Sequence, residues 1–482
     1  MGWAIETKLP INTKRDLSLV YTPGVGECCL KIKENSKMAM ELTNKANSVA
    51  IFAYENQKIL AIQKADGYRQ RGFDAYPIIL KKSKISTQRI LESLHPTFGS
   101  FDISFLEEKI DTSKINTILP ESPILFEVPD VSKLSEDVKL ASVELHSLTK
   151  GVIKQAWCDT EPKLVGVVSN GSAVLGFGKI GPDAAMPVME GKAALFKKFG
   201  DVDAIPICID AIDIDEFKEI VKALEPTFCG INLEDICAPD CFDVEAELIS
   251  QMNIPVFHDD QHGTAIVVLS GLINSLKLIE KSKEDVKVIF SGAGAAAIAV
   301  CKLFLAYGVK NIIMTDINGV IYQGRESNDK YLEKISQKTN LDGKKGSLKD
   351  VIKGADVFVG LSAQGVLTVD MIKSMALKSV VFALANPNPE IMPDVAKEAG
   401  AFIVATGRSD FPNQVNNSLI FPGIFKGILQ SDKKNIDDSI KIKAAITLSD
   451  RVDKLSQDKI IPDALDMAVP NIISEAVLGI LK

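Results

Sequence analysis

The hydrophobic pattern of the chain changes character near residue 280. From there to about residue 430, short runs rich in β-branched residues alternate with amphipathic stretches of helical period. This alternation is typical of βαβ units, in which helices connect parallel strands. The predicted strands are VKVIF (286–290), NIIMT (311–315), DVFVG (356–360), VVFAL (380–384) and FIVAT (402–406).

A first α/β region lies upstream of this one. Its predicted strands are separated by helical patterns such as EFKEIVKAL (216–224), and after about residue 430 the pattern is helical to the end. We therefore predict an α/β protein that ends in a helical segment. The upstream strands are AIPICI (204–209), CGINL (229–233) and IPVF (254–257).

Residues 47–110 resemble a degenerate copy of residues 163–240. A chance likeness between two βα segments is the alternative explanation. In a true copy, Ser104 and Phe105 stand where the later segment has two carboxylates, so we expect scaffold and not a second active site. The matching segments are FDAYPIIL (73–80) with VDAIPICI (202–209), and LESLHPTFGSFDISFLEE (91–108) with VKALEPTFCGINLEDICA (221–238).

The strand VKVIF leads directly into a glycine-rich turn that indicates dinucleotide binding. Gly292 allows the tight turn, Gly294 lets a pyrophosphate approach the helix N-terminus, and Ala297 permits close helix packing. Asp316, at the end of the next strand, can accept hydrogen bonds from the ribose hydroxyls and would repel a 2′-phosphate. The pattern predicts a Rossmann-type, doubly wound parallel sheet and favours NAD over NADP.

Two acidic pairs follow predicted strands, Glu234 with Asp235 and Asp259 with Asp260. Open α/β sheets bind ligands at the carboxyl ends of their strands. Converging carboxylates require a cation, and all-oxygen ligands suit Mg²⁺ or Mn²⁺. Solvated acidic turns are the alternative. The pair Cys237 and Cys241 has no second pair to complete a zinc site.

Composition argues for small-molecule ligands. The net charge of −8 includes no basic block, which argues against nucleic acid and against an anionic membrane surface. The N-terminus lacks the apolar core of a signal peptide, and the pattern predicts no apolar run of membrane-spanning length. Eight cysteines, mostly in apolar segments, suit reduced thiols. We therefore predict a cytoplasmic protein.

Six ordered motifs resemble those of malic enzymes, particularly the shorter bacterial type. The resemblance covers about residues 10–46 and 164–475, and leaves 47–163 as an unusual insert. It implies an N-terminal substrate and metal domain at 1–270, a nucleotide-binding domain at 271–430 and a helical segment at 431–482. The motifs are LSLVYTPGVGECC (17–29), GPDAAMPVMEGKAALFKKF (181–199), PTFCGINLEDI (226–236), FHDDQHGTAIV (257–267), ANPNPEIMPD (385–394) and ATGRSDFPNQVNNSLIFPGIF (405–425).

The resemblance also implies residue roles. Tyr21 matches the family's general acid and Lys192 its general base, with Asp259 as an assisting carboxylate. Asn386 and Asn417 match amides that contact malate and the nicotinamide end of the cofactor. The implied metal ligands are Glu234, Asp235 and Asp260.

The implied reaction converts malate to pyruvate and carbon dioxide with NAD, or NADP, and Mg²⁺ or Mn²⁺, in a homodimer or homotetramer. Two alternatives remain open: a malolactic enzyme that releases lactate, and a non-catalytic malate or nucleotide sensor. Lys179 departs from the family, which usually has an acidic residue there. Its effect, like that of the insert, is not fixed by the sequence.

Overall fold

The chain divides into two compact units. The first comprises residues 1–236 and 243–257, and the second 237–242 and 258–482. The boundaries expected near residues 270 and 430 remain predictions. This computed structural model describes residues 2–21, 24–118, 151–158 and 163–481, so much of the insert, 119–150 and 159–162, lies outside the described residues.

The elements up to residue 258 form three sheets with surrounding helices. The strands are β1 (Gly2–Thr7), β2 (Ser48–Tyr54), β3 (Asp74–Leu80), β4 (Ser100–Asp102), β5 (Ile153–Cys158), β6 (Val165–Ser169), β7 (Ala204–Cys208), β8 (Gly230–Leu233) and β9 (Val256–His258). The helices are α1 (Lys14–Val20), α2 (Val25–Glu34), α3 (Met38–Leu42), α4 (Lys58–Arg69), α5 (Thr87–Ser93), α6 (Thr112–Ile118), α7 (Pro182–Leu195), α8 (Ile214–Ala223) and α9 (Asp240–Gln251).

Two of these sheets have the same strand order and the same register. One sheet is β3-β2-β4 and the other β7-β6-β8-β9, and in each the first strand along the chain lies between the next two. Val49 pairs in parallel with Ala75 and Ser100. Its counterpart Val165 pairs in parallel with Ala204 and Gly230, the residues that the sequence match aligns with those partners. A short antiparallel pair, β1 with β5, completes the unit.

Sequence explains these elements locally. The strand VGVVS (β6) is buried throughout, as expected of a parallel strand covered on both faces. Helix α8 begins where the Asp213 side chain accepts a hydrogen bond from the Glu216 N–H, and it buries Phe217, Ile220 and Val221 at helical spacing. The strand is buried on both faces, and the helix is buried along one stripe. The hydrophobic core of the unit therefore lies between the sheets and the helices.

The second unit contains a six-stranded sheet in the order β12-β11-β10-β13-β14-β15. All neighbours are parallel except β11 and β12. The chain order reverses at β10, which creates a switch point at its carboxyl end. The strands are β10 (Lys287–Ser291), β11 (Asn311–Asp316), β12 (Gly319–Val320), β13 (Val357–Gly360), β14 (Val380–Ala383) and β15 (Ile403–Thr406).

Helices surround this sheet and form the end of the chain. The prediction of an α/β fold with a Rossmann-type sheet and a helical C-terminal segment is confirmed. The helices are α10 (Asp259–Ile279), α11 (Ala295–Tyr307), α12 (Lys330–Ser336), α13 (Leu348–Val351), α14 (Val369–Ser374), α15 (Pro393–Glu398), α16 (Phe421–Ile428), α17 (Asp438–Asp450) and α18 (Val469–Leu481).

Helix α10 is long and apolar enough to cross a membrane by length and composition alone, although the sequence pattern had suggested no such run. Within the described residues it is the one helix that meets this test, and 78% of its most apolar window is buried inside the molecule. Burial of that extent is typical of a core helix, so its apolarity is explained by packing.

Candidate active site

In the first unit, Tyr21, Lys192 and Glu234 form a hydrogen-bonded cluster. Lys192 Nζ donates to Glu234 Oε1 at 2.8 Å and to the Tyr21 hydroxyl oxygen at 3.1 Å. The Tyr21 hydroxyl donates to the same carboxylate oxygen at 3.2 Å. All three side chains are buried, and Lys192 is fully so. The structure thus brings the expected acid, base and one expected metal ligand together.

Gly191 in α7 allows Tyr21 and Lys192 to lie close together. A Cβ atom at residue 191 would stand 2.0 Å from the carbonyl oxygen of Val20, so only glycine lets the end of α1 pass this close to α7. Tyr21 is the C-cap residue of α1, and Lys192 lies in the last turn of α7. Close approach of the two helices at Gly191 is therefore what places the phenol beside the ammonium group.

The carboxylates follow β8, where the fold holds each of them. Asn232 Nδ2 donates to Glu234 Oε2 at 3.0 Å, which fixes the second oxygen of that carboxylate. Asp235 has a φ of +54° and is buried, and its carbonyl oxygen accepts from the Ala173 N–H. Burial, together with the charge of Asp235, raises the pKa of Cys29 to about 12, so this thiol is neutral.

The donor chemistry of this half fits a divalent cation. Glu234 and Asp235 carry two negative charges against the single positive charge of Lys192. A carboxylate offers about four lone-pair sites, and Glu234 uses at least three of them within the protein. Oxygen ligands of this kind suit Mg²⁺ or Mn²⁺. Across the described ranges, however, no group of three or more His, Cys, Asp or Glu side chains is gathered as a complete metal site.

The second unit carries the other acidic pair, at the start of α10. Asp259 and Asp260 occupy the first turn, where the helix dipole favours negative charge. The Asp259 side chain is fully buried against its own helix. Gly263 makes room for it, because a Cβ atom at residue 263 would stand 1.9 Å from Asp259 Oδ1. The same Cβ would lie 3.1 Å from the Cβ of Asn417, so this expected substrate ligand adjoins Asp259. The Nδ1 atom of His258 lies 3.9 Å from Asp260.

The glycine turn after β10 has the geometry expected for a pyrophosphate. Gly292 has a φ of +113°, and a Cβ there would stand 2.3 Å from the Leu361 carbonyl oxygen. Gly294 precedes the first turn of α11, and a Cβ built on it meets nothing within 4 Å. Ala297 is buried in that helix. Open space before the first turn of a helix, whose N–H groups have no partner within the helix, suits an anionic ligand.

Asp316 lies at the end of β11 but is already engaged. Arg325 donates to both of its carboxylate oxygens, at 2.8 and 2.5 Å, and the Asn318 N–H donates to Oδ1. Arg325 is buried, so water screens this pair little. The positive charge of Arg325 offsets the negative charge of Asp316. This pairing weakens the repulsion between Asp316 and a 2′-phosphate, and that repulsion was the reason to expect a preference for NAD. The local sequence gave no signal of this arginine's role.

The remaining expected residues lie near strand ends or at the surface. Asn386 follows β14 and is exposed, and a Cβ at Gly407, which follows β15, would lie 3.3 Å from its Oδ1. Lys179 is exposed in the turn before α7. Sequence reasoning missed Asn232 and Gly191. An asparagine inside the buried strand GINL was an available signal, because buried polar side chains require partners.

Comparison with known families identifies two matching segments. Residues 131–249 match the model described as "Malic enzyme, N-terminal domain", and residues 261–477 match "Malic enzyme, NAD binding domain". Lys192, Glu234 and Asp235 lie inside the first match, and the glycine turn inside the second. Tyr21 and the pair at 259–260 lie outside both.

Individual relatives agree with these matches. A bifunctional malic/malolactic enzyme of Bacillus subtilis is 50% identical over 78% of this chain and 92% of its own length. An NADP-dependent malic enzyme of Escherichia coli is 52% identical over 60% of this chain, but the match spans only 38% of that longer relative. The crystal structure of an NAD-dependent malic enzyme from Thermotoga maritima is 43% identical, with a TM-score of 0.65, over 77% of this chain and 100% of its own.

Proposed function

The chain belongs to the malic enzyme family, and we propose that it converts malate to pyruvate and carbon dioxide by passing a hydride to NAD or NADP. The observation that carries this function is the buried contact of Lys192 with Tyr21 and Glu234, which provides a base and an acid within hydrogen-bond distance of each other. Such a pair can remove a proton from a hydroxyl group of a substrate and deliver a proton to a neighbouring carbon.

Binding roles follow the family pattern. Glu234, Asp235 and Asp260 are the proposed ligands of Mg²⁺ or Mn²⁺, with Asp259 as an assisting carboxylate. Gly292 and Gly294 receive the nucleotide pyrophosphate, and Ala297 allows α11 to pack closely behind it. Asp316 adjoins the ribose, and Asn386 and Asn417 orient malate and the nicotinamide. When bound, the cation polarises the C2 oxygen of malate and the nicotinamide accepts the hydride.

Lys192 and Tyr21 manage the proton. Lys192 acts in its uncharged form, in which the amine nitrogen accepts the proton of the C2 hydroxyl during oxidation. Tyr21 donates a proton to C3 after carbon dioxide has left. Because their polar atoms are 3.1 Å apart, Lys192 can then reprotonate Tyr21. The hydroxyl proton of malate thus returns at C3 of pyruvate, and the cycle needs no net proton from solvent. Full burial of Lys192 keeps water from competing for this proton.

A second candidate function is the conversion of malate to lactate with retained nucleotide. The Bacillus subtilis relative, half identical to this chain, is named for both the malic and the malolactic activity. The same proton-handling residues serve the first steps of either reaction, so the two functions differ in whether pyruvate and reduced nucleotide leave the protein.

Product analysis with purified protein, malate and Mn²⁺ tests the proposal. Malic enzyme activity predicts reduced nucleotide at 340 nm in amounts equal to pyruvate, and none after chelation of the metal. Lactate without net nucleotide reduction would assign the second function instead. Absence of all three products with both nucleotides would contradict the proposed catalysis and favour the sensor alternative.

Location and assembly are further proposals. We expect a cytoplasmic homodimer or homotetramer, on the family resemblance alone. Light scattering coupled to size-exclusion chromatography gives the mass of the assembly directly, and a mass equal to the 52.3 kDa chain would contradict the proposed assembly.

A further inference from the structure

The first unit contains two copies of one α/β motif, packed with reciprocal contacts. We call residues 48–105 the first repeat and residues 164–235 the second repeat. Thr97 of the first repeat exchanges hydrogen bonds with the backbone N–H and carbonyl of Cys208, at 2.8 and 3.0 Å. Thr227 of the second repeat exchanges the same two bonds with the backbone of Ile79, at 2.8 and 3.0 Å.

These pairs are related by the sequence alignment itself. Thr97 aligns with Thr227, and Ile79 aligns with Cys208. A second reciprocal set joins the Lys81 N–H to the Ala223 carbonyl and the Asp210 N–H to the Ser93 carbonyl. In each set, a position of the first repeat contacts a second position in the other repeat, and the two aligned positions make the same contact in reverse. Reciprocal contacts of this kind are those made across a two-fold axis. Equivalent positions of the two repeats are therefore equivalent in space as well as in sequence.

The catalytic cluster has a counterpart in the first repeat. Ser104 aligns with Glu234, and Lys64 Nζ donates to Ser104 Oγ at 2.6 Å as Lys192 Nζ donates to Glu234. Lys64 lies ten residues before Asp74, and Lys192 lies eleven before Asp203, which aligns with Asp74. The π-helical turn after α7, Phe196–Gly200, accommodates the extra residue.

The counterpart lacks the net negative charge of the catalytic cluster. The second repeat presents two carboxylates to one ammonium group, a net charge of −1. In the first repeat Phe105 replaces the second carboxylate, and its ring lies 5.3 Å from Lys64 Nζ. Asp102 alone neutralises Lys64, at 2.8 Å, and accepts a hydrogen bond from the Tyr68 hydroxyl at 2.7 Å. The first repeat therefore lacks the ligands of a divalent cation.

Arg71 adds an uncompensated positive charge beside this cluster. Lys64 and Tyr68 lie one turn apart on α4, and Arg71 follows two residues after the end of that helix. The Arg71 guanidinium carbon lies 5.9 Å from the centre of the Tyr68 ring. Arg71 is 7% exposed, and in the described parts of the chain its Nε and Nη2 atoms have no hydrogen-bond partner. The neighbouring Arg69 already pairs with Asp66.

Arg71 is exceptional among the arginines of the chain. Within the described residues, every other buried or partly buried arginine pairs with a carboxylate: Arg69, Arg89, Arg325, Arg408 and Arg451. Arg15 is exposed to water. A buried guanidinium without an anion is costly, because its lost hydration is not replaced.

We propose that the first repeat holds a second, non-catalytic site, in which Arg71, beside Tyr68 and Lys64, binds a small oxyanion, a carboxylate or a phosphate. The planar guanidinium fork matches two oxygens of either group. The second repeat has two carboxylates where the first repeat has Ser104 and Phe105, and the first repeat has Arg71 beside the cluster. The same position of the motif is therefore suited to a cation in the second repeat and to an anion in the first.

Calorimetric titration of the full chain in EDTA tests this site without catalysis. The probes are succinate and inorganic phosphate, and the variants are Arg71→Gln and Lys58→Gln. The second variant removes the same charge from an exposed position of α4. We expect at least one anion to bind saturably, about tenfold or more weaker in Arg71→Gln and unchanged in Lys58→Gln. Tighter binding of succinate identifies a carboxylate ligand, and tighter binding of phosphate a phosphate.

Thermal unfolding distinguishes this site from a structural arginine. Without an anion, Arg71→Gln should melt no lower than the wild type, because an uncompensated buried charge is removed. With the anion saturating, the wild type alone should gain about 2 °C or more. The proposal is overturned if neither anion binds, if Arg71→Gln binds as the wild type does, or if it melts lower to the same extent with and without anion. None of these outcomes bears on malate oxidation.

Discussion

Adding one methyl group at residue 191 should separate the proposed acid from the proposed base. The Cβ of Gly191→Ala would stand 2.0 Å from the Val20 carbonyl oxygen, whereas ordinary contacts begin near 3.4 Å. The end of α1 must therefore retreat by about 1.4 Å, the difference between those distances. Contacts of 3.1 and 3.2 Å from the Tyr21 hydroxyl would then exceed hydrogen-bond range.

The size of the effect follows from positioning. A displacement of about 1 Å at a catalytic group can lower a rate by about 100-fold, so we expect kcat to fall by about that factor. Alanine is the better helix former by about 1 kcal/mol, so a loss of activity cannot come from helix propensity. Gly479→Ala in α18 is the matched control, because a Cβ there meets nothing within 4 Å.

Two assays locate the defect. Malate oxidation is followed by nucleotide absorbance, and exchange of the pyruvate methyl protons in D2O is followed by NMR. Exchange needs proton transfer at C3 without hydride transfer, so it reports on Tyr21 directly. If Gly191→Ala exchanges these protons as fast as the wild type, Tyr21 is not the acid, or the helix contact does not position it.

Three further predictions concern the nucleotide site and stability. Asp316→Asn leaves Arg325 to attract a 2′-phosphate, so kcat/KM for NADP relative to NAD should rise about tenfold; an unchanged ratio would refute the role of the pair. Gly292→Ala should lower the melting temperature, because its φ is +113° and its Cβ meets a backbone carbonyl, whereas Gly294→Ala should fold normally and raise the KM for the nucleotide; equal melting losses would contradict this distinction. Burial raises the pKa of Glu190 to about 7 from its ordinary 4.5. Its contribution to stability is therefore present below pH 4.5 and is lost as the pH rises through 7. Relative to Glu190→Gln, the wild type should lose about 3 kcal/mol of unfolding free energy between pH 5 and pH 8, measured by urea denaturation; a constant difference would refute the raised pKa.

Local sequence predicted the elements and motifs more fully than the contacts between them. The runs of β-branched residues and the glycine turn at 292–297 have local causes, and the structure has them where the pattern indicated. The contact of Tyr21 with Glu234 joins residues 213 positions apart, and no local periodicity encodes it. Only the family motifs suggested that these residues act together.

Other features depend on packing that a single sequence does not reveal. Gly191 reads as an ordinary helix glycine until the Val20 carbonyl is placed against it. Arg325 is nine residues from Asp316 and lies beyond β12. Its pairing with Asp316 depends on how the chain folds back after β12, which the sequence pattern does not show. The same holds for Arg71, whose lack of a partner within the described residues becomes visible only once its surroundings are known.

The central claim is that Lys192 is the base in malate oxidation, and replacing it tests that claim most directly. The measurement is malate-dependent reduction of NAD with Mn²⁺ in Lys192→Ala, beside the wild type and the exposed control Lys443→Ala. Removal of a general base predicts a loss of about 10²- to 10⁴-fold in kcat, with nucleotide binding retained and the control unaffected. A Lys192→Ala variant that reduces NAD at the wild-type rate would contradict the account.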